Sequence, residues 1–494
     1  MATRSLLQQQ PSARVKPFSL IPGPRGLPYL GTLLDYKTGK YAPSSFDKAF
    51  RANHQKYGKI FKETIAGSTK VHLCDPDYAQ RLFQLEGKRP HTPPLLETSK
   101  MYRKINRLSL GLGNMNGEKW SRSRKAVGHL LMKPKSVSQF LPHINGCVDD
   151  FITKIHHLRD EEGLVENFSN EIKMWTLEST ANICFETRLG ALNGTAAQSD
   201  FIQRMVNAMD SMLEQALKLR FSFGWWRLLP TPAWQKLYDC EDFFFSNAQR
   251  IVNEAISKMD ALLESGDFVE GHSYPFLSYL LGREELSLED VRIISMAMFS
   301  DGMITTSPTV ASQLYCLATN PEVQDKVYEE VLRVVGIKTK EITSGHLEEL
   351  SYLKSCIKEG FRFFPIGTEI SRIVPTDITI GGYLIPKGTH VEVNTNMLLQ
   401  SPQYFHDAHR FIPERWTRDG SASNVHPYLV RPFSCGPRMC PGKRIAEQEM
   451  LTFIAKLLRH YRVEWRESHE MSQRYRILLA PDCSADFYFI PRNN

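Results

Sequence analysis

Phe433-Ser434-Cys435-Gly436-Pro437-Arg438-Met439-Cys440-Pro441-Gly442 is the stretch that decides the fold. Gly436 and Gly442 bracket Cys440, and Pro437 and Pro441 stiffen the turn. A helical pattern follows at once, with Lys443 and Arg444 in its first turn. Cations and a helix N-terminus both stabilise a thiolate, and Arg438 adds a further cation nearby. Glycines let backbone N–H groups approach sulfur, and such hydrogen bonds tune a metal–thiolate bond. The bland alternative is a free cysteine in a Gly/Pro turn. Cys435, a second thiol in the same loop, reads as structural.

The rest of the chain bounds what that thiolate can serve. Its 494 residues are 42% apolar and 23% charged, a globular composition that excludes disordered, collagen-like and coiled-coil chains. Lys+Arg of 61 against Asp+Glu of 54 leaves only +7. The basic blocks are short: Arg122, Arg124 and Lys125, then Arg438, Lys443 and Arg444. They suit an acidic protein partner or a membrane surface and not a nucleic acid. Nine scattered cysteines without a C-x-x-C pair disfavour a disulfide framework and a structural zinc site, and fit a reducing compartment.

No run of about 20 apolar residues lies near the start, so no spanning helix is expected there. Arg4, Arg14, Lys16 and Arg25, with no acid before Asp35, give residues 1–19 the composition of an organelle transit peptide or of a disordered tail. Pro22-Gly23-Pro24 opens the folded part as a rigid, non-helical segment. From Asp75 to Leu347 apolar spacing is helical, clearest over Asp200–Lys218, Ala248–Glu264 and Asp290–Thr319. The segment from Phe221 through Trp225, Trp226, Pro230, Pro232 and Trp234 separates two helical stretches. Ser287 and Asn320-Pro321 mark helix starts. Gly302–Pro321 is uncharged but polar enough to read as a buried helix. Ile378–Ile380, Tyr383–Ile385 and Val391–Val393 read as strands, residues 400–435 as irregular, Glu447–Tyr461 as helix, and the end as strand. The expectation is one mainly α domain over residues 20–494 with a small β region.

F-x-x-G-x-R-x-C-x-G across Phe433–Gly442 resembles the haem-ligand loop of the cytochrome P450 family. A chance match of its fixed positions is on the order of 10⁻⁴ in a chain this long. The resemblance implies the P450 fold, a triangular helical prism around a buried haem b. It implies Cys440 as the axial thiolate on iron, Phe433 packed against it, and Arg438 on a haem propionate. A thiolate ligand pushes electron density onto iron and favours O–O cleavage. Glu359-x-x-Arg362 and Pro413-Glu414-Arg415-Trp416 resemble the family's structural elements, which implies a buried Glu359–Arg362–Arg415 triad. Trp120-x-x-x-Arg124 and Arg372 resemble its other propionate-binding residues. Ile21-Pro22-Gly23-Pro24 is similar to its proline hinge.

Two features resemble the mitochondrial animal branch. One is the missing anchor. The other is Leu353-Lys354-x-x-x-Lys358-Glu359, whose lysines in that branch dock an acidic [2Fe–2S] ferredoxin; otherwise they are solvated surface charges. Trp225-Trp226-Arg227-x-x-Pro230 resembles that branch's loop above the substrate, implying peripheral contact with the inner membrane, with core packing as the alternative. The implied activity inserts one atom of O2 into a C–H bond of a lipophilic substrate, a sterol or steroid, with electrons from NADPH through a reductase and ferredoxin. The alternative is an isomerase-like haem-thiolate enzyme or a haem sensor. Met298, Met303, Ile366 and Met397 are candidate pocket residues or plain core.

The oxygen-activating groove departs from the family. Where the pattern is [A/G]-G-x-[D/E]-T-[T/S], this chain has Asp301-Gly302-Met303-Ile304-Thr305-Thr306. Thr305 matches the proton-delivering threonine, but Ile304 fills the acid slot. Asp301, one turn earlier, shares a helix face with Thr305. Pro308 has no N–H, so the Ile304 carbonyl loses its donor, a kink is expected, and a water can bind there. The alternative for Asp301 is simple pairing with a neighbouring cation.

Overall fold

Helix Leu288–Ala318 carries apolar side chains all the way round, so it is buried on every side. It starts on a reciprocal capping box, with Ser287 Oγ accepting from the Asp290 N–H and the Asp290 carboxylate accepting from Ser287. Around it pack Phe168–Phe185, Pro232–Ser265, Ser351–Phe363 and Lys443–His460. One close crossing is at Gly302, where an added Cβ would stand 2.4 Å from Thr180 Cγ2. A stack of Phe151, Trp175 and Phe453 rings fills the interior on the Phe168–Phe185 side, with centroids 4.7–5.7 Å apart.

The computed structural model describes residues 15–269, 273–336, 341–466 and 468–492. Residues 1–14 of the expected leader lie outside the described residues, and the Lys16 N–H already bonds the Gly382 carbonyl at 2.9 Å. Among the described residues, no helix is long and apolar enough to cross a membrane.

A four-stranded sheet in the order Ile60–Ile65, Ser68–Leu73, His390–Val393, Ile370–Ile373 flanks the helices. Val71 pairs with Val391 in parallel, and Arg372 with Val391 in antiparallel register. Gly381 and Gly382, both at positive φ, turn the hairpin Ile378–Ile380/Tyr383–Ile385 as expected of a primed turn. The last strand, Phe487–Pro491, lies between Leu164–Val165 and Tyr461–Trp465.

One expected bound is corrected, and one hairpin was not anticipated. The helix expected over Ala248–Glu264 begins at Pro232, because Thr231 caps it and Pro232 sits at its first turn, where a missing N–H costs nothing. The Ile60–Leu73 hairpin was hidden by lysines and threonines on its outer face. Helix Leu288–Ala318 continues through Pro308. There Ser307 and Thr309 hydroxyls bond the Met303 and Thr305 carbonyls at 2.6 and 2.7 Å and brace the turn.

Candidate functional site

The cysteine loop is closed by the Cys440 N–H on the Phe433 carbonyl at 2.9 Å. Burial raises the Cys440 thiol pKa; the Gly442 and Lys443 N–H groups, aimed at the sulfur, oppose this. Lys443 is the first residue of the helix that follows. An added Cβ on Gly442 would stand 3.9 Å from the sulfur, so backbone forms its floor. Gly436 has φ +68, a conformation that favours glycine, and a Cβ there would stand 2.4 Å from Glu86 Oε1. The Phe433 ring meets Phe361 edge-on at 5.3 Å. Cys435 is buried in the sheet-side core with Val374 and Val391, and its carbonyl accepts from Arg372 Nη2 at 3.4 Å.

Three guanidiniums converge on this loop. Arg438 lies over the Trp120 ring at 3.7 Å and donates to Asn116 Oδ1 at 2.6 Å and to the Pro90 and Met115 carbonyls. Arg124 donates to the Met439 carbonyl at 2.6 Å. Arg372 pairs with Glu86. Burial and the like charges of Arg372 and Arg124 push the Arg438 pKa down to about 10. Glu86 is the carboxylate that acts on this group, and its Oε1 has no partner. Three cations against one carboxylate leave two positive charges, which fits a planar group bearing two carboxylates.

Across from the sulfur lies the central helix. Met298 approaches Gly442, since an added Cβ there would stand 3.7 Å from Met298 Cε. Asp301 is wrapped by protein yet keeps free surface, which puts it on the wall of an internal hollow; its charge and that of Cys440 act on each other. Burial raises its carboxyl pKa to about 6, against the opposing pull of Arg103. The Thr305 hydroxyl donates to the Asp301 carbonyl at 2.7 Å, so the link between the two runs through backbone. The Asp301 carboxylate accepts from Ser300 Oγ at 3.3 Å, and the neighbouring cation of the alternative reading is Arg103.

Helix Ser351–Phe363 supports the loop from below. Glu359 accepts from Arg362 Nη2 and Nε at 2.8 and 2.9 Å, Arg415 at 3.2 Å, Trp416 Nε1 at 2.8 Å and the Ile412 N–H. Arg362 caps the Leu399, Ala408 and Arg410 carbonyls, so the expected triad is present and fully satisfied. On the outer face Lys358 is exposed, while Lys354 is half-buried and bonds the Glu348 carbonyl. Trp226 is buried on Trp234, but Trp225 is 63% exposed, so core packing and surface exposure each account for one tryptophan.

Met397 takes the core alternative: it packs against Phe50, Phe61 and the Leu398–Phe405 cluster. Met303 is buried core, and the Ile366 carbonyl holds the Leu479 N–H. Sequence reasoning missed Glu86, Arg103 and Glu241. Arg103 and Glu241 sit in charge-rich runs, Arg103-Lys104 and Asp239–Asp242, that read as solvated surface.

The family description "Cytochrome P450" matches residues 21–482. The chain belongs to the cytochrome P450 family. Among its relatives is a probable cytochrome P450 CYP44 of Caenorhabditis elegans, 36% identical over 489 residues, 97% of this chain and 95% of that protein. A Drosophila melanogaster protein named probable cytochrome P450 301a1, mitochondrial, is 30% identical over 94% of this chain and 86% of its own length. Cytochrome P450 27C1 of Danio rerio is 28% identical over 98% of this chain and 88% of its own. These relatives agree with the mitochondrial-type animal branch. As a member of a haem-thiolate family, this P450 is a monooxygenase whose cofactor is haem with a cysteine ligand.

Proposed function

We propose that this P450 oxidises a sterol- or steroid-like substrate with electrons from NADPH passed through a ferredoxin reductase and a [2Fe–2S] ferredoxin. The observation that carries the site assignment is the surplus of two positive charges beside a sulfur that accepts backbone N–H bonds. Cys440 is the ligand. Arg438, Arg124 and Arg372 hold the two propionates, and Trp120 fixes Arg438 by lying under its guanidinium. Phe433 shields the sulfur from water. When bound, haem supplies the redox-active iron at which dioxygen is reduced.

The protein's own part is proton delivery and orientation. Thr305 holds a hydroxyl proton on the Asp301 carbonyl. The Ile304 carbonyl, without an N–H from Pro308, accepts from a water. Asp301, with a pKa near 6, exchanges a proton close to neutral pH. The apolar walls exclude bulk water. Trp225 and Leu228, 63% and 77% exposed, support peripheral contact with a membrane. Relatives named as mitochondrial support a mitochondrial location, where this reading places it on the inner membrane.

Ferredoxin docks on the face carrying Lys354 and Lys358. The Lys354→Glu/Lys358→Glu variant is expected to lose ferredoxin-supported turnover about tenfold, with a normal carbon-monoxide spectrum; wild-type turnover also falls as salt screens the contact. Unchanged ferredoxin dependence in that variant overturns the docking face. Turnover of an endoperoxide without NADPH, and no ferredoxin- and oxygen-dependent NADPH consumption with sterols, would return the isomerase reading.

A further inference from the structure

Glu86 and Arg372 are both buried, 7% and 3% exposed. Helix Pro76–Leu85 delivers the acid. Asp75 caps its start by accepting from the Asp77 and Tyr78 N–H groups, and Gly87, at φ +69, follows its end. Glu86 is the C-cap, where the helix dipole disfavours a carboxylate. Burial disfavours the charge as well. What offsets both costs is Arg372, whose Nε donates to Glu86 Oε2 at 2.5 Å. Phe83, one turn earlier on the same helix, has its ring 5.1 Å from the guanidinium, so ring and carboxylate clasp it together. The strand side holds it too: Nη1 donates to the Ser371 carbonyl at 2.9 Å and Nη2 to the Cys435 carbonyl at 3.4 Å.

A buried pair that only fastens helix to strand has its carboxylate fully taken, as Glu359 has both oxygens taken beneath the loop. Glu86 does not. Its Oε1 has no partner and backs onto the cysteine loop, where a Cβ on Gly436 would stand 2.4 Å from it. Gly436 lies four residues before Cys440. An oxygen without a donor, in a low-dielectric surround, projects its charge across the loop. We infer that Glu86 is a positioning residue that holds Arg372, offsets its charge toward the haem carboxylates and thereby lowers the reduction potential of the iron. The inference rests on the proposed assignment of Arg372 to a propionate. A negative charge near the ring stabilises the ferric state over the ferrous one, and a positive charge does the opposite.

The test measures the midpoint potential of the substrate-free, haem-loaded enzyme in mildly alkaline buffer, which favours the ionised carboxyl. Glu86→Gln is expected to move the midpoint upward, by about a tenfold change in the ferrous-to-ferric ratio at fixed poise. Arg372→Gln is expected to move it downward by a similar factor. The double variant Glu86→Gln/Arg372→Gln removes both charges, leaves neither buried alone, and is expected within about threefold of the wild type. Glu86→Asp keeps the ion pair, draws the charge back from Gly436 and is the gentler change to the fold; it is expected to move the midpoint upward by about twofold. The carbon-monoxide spectrum checks that each variant retains its thiolate-bound haem. No upward shift in either Glu86 variant overturns the inference, and so does a shift that persists in full in the double variant, because a merely structural pair gives no opposite, cancelling signs. A lowered midpoint in Arg372→Gln with unchanged Glu86 variants ends this inference alone. Wild-type potential and haem retention in Arg372→Gln instead remove Arg372 from the haem carboxylates and end the assignment beneath it.

Discussion

Glu359 and Glu241 are both fully buried glutamates that face an arginine, and they live in opposite circumstances. Glu359, beneath the cysteine loop, accepts from Arg362, Arg415, Trp416 and the Ile412 N–H. Glu241, across the hollow, accepts from nothing, and burial raises its pKa to about 7. A satisfied network holds its geometry and gains little from a visitor. An unsatisfied one carries a standing desolvation penalty that a ligand can relieve. The first region is a foundation, and the second holds a carboxyl that gains and loses its proton near neutral pH.

The largest effect is expected at the sulfur that the foundation supports. Cys440→Ala should abolish the ~450 nm band of the reduced carbon-monoxide complex, which thiolate ligation produces, while Cys435→Ala should keep it. A band that survives loss of Cys440 and disappears with Cys435 would move the ligand to the wrong wall of the loop.

The two glutamates themselves give the next effect. Glu359→Gln leaves two buried guanidiniums without a counter-charge and should cost about 3–5 kcal/mol in urea unfolding. Glu241→Gln should cost less than about 1 kcal/mol near neutral pH, because no hydrogen bond is lost. The sign with pH differs as well. A carboxyl raised from 4.5 to about 7 makes the folded state bind its proton more tightly than the unfolded chain. Wild-type stability from this group is therefore greatest below 4.5 and falls as pH rises to about 7. Glu241→Gln removes that fall, so the variant should gain on the wild type between acidic and mildly alkaline buffer. Equal destabilisation by the two substitutions would erase the contrast.

A smaller effect is expected in coupling. Thr305→Ala and Asp301→Asn should each lower product per NADPH by up to about tenfold and raise peroxide release. Asp301 holds its proton below about pH 6, so wild-type coupling should decline as pH rises through that value, and Asp301→Asn should be flat. Wild-type coupling in Asp301→Asn would remove the aspartate from proton delivery and leave it to Thr305 and water.

The sequence by itself determined the helical class, the cysteine loop, its arginine and tryptophan partners and the Glu359 triad. Those features are local or carried by short motifs: a Gly/Pro turn before a helix, or an acid and a base three residues apart. The capped start of Leu288–Ala318 at Ser287 was legible for the same reason. Only the tertiary structure decided which charged residues are buried. Arg103 and Glu241 lie in charge-rich runs, and nothing local separates a solvated charge from one that three packed helices enclose. The Ile60–Leu73 hairpin was missed and the two alternatives for Met397 stayed open because long-range pairing, with His390–Val393 and the Phe50 cluster, sets their environment. Thr305 reaches Asp301 through its carbonyl, while the carboxylate accepts from Ser300. A helix periodicity places two residues on one face, but which atom each presents depends on what the opposite wall offers.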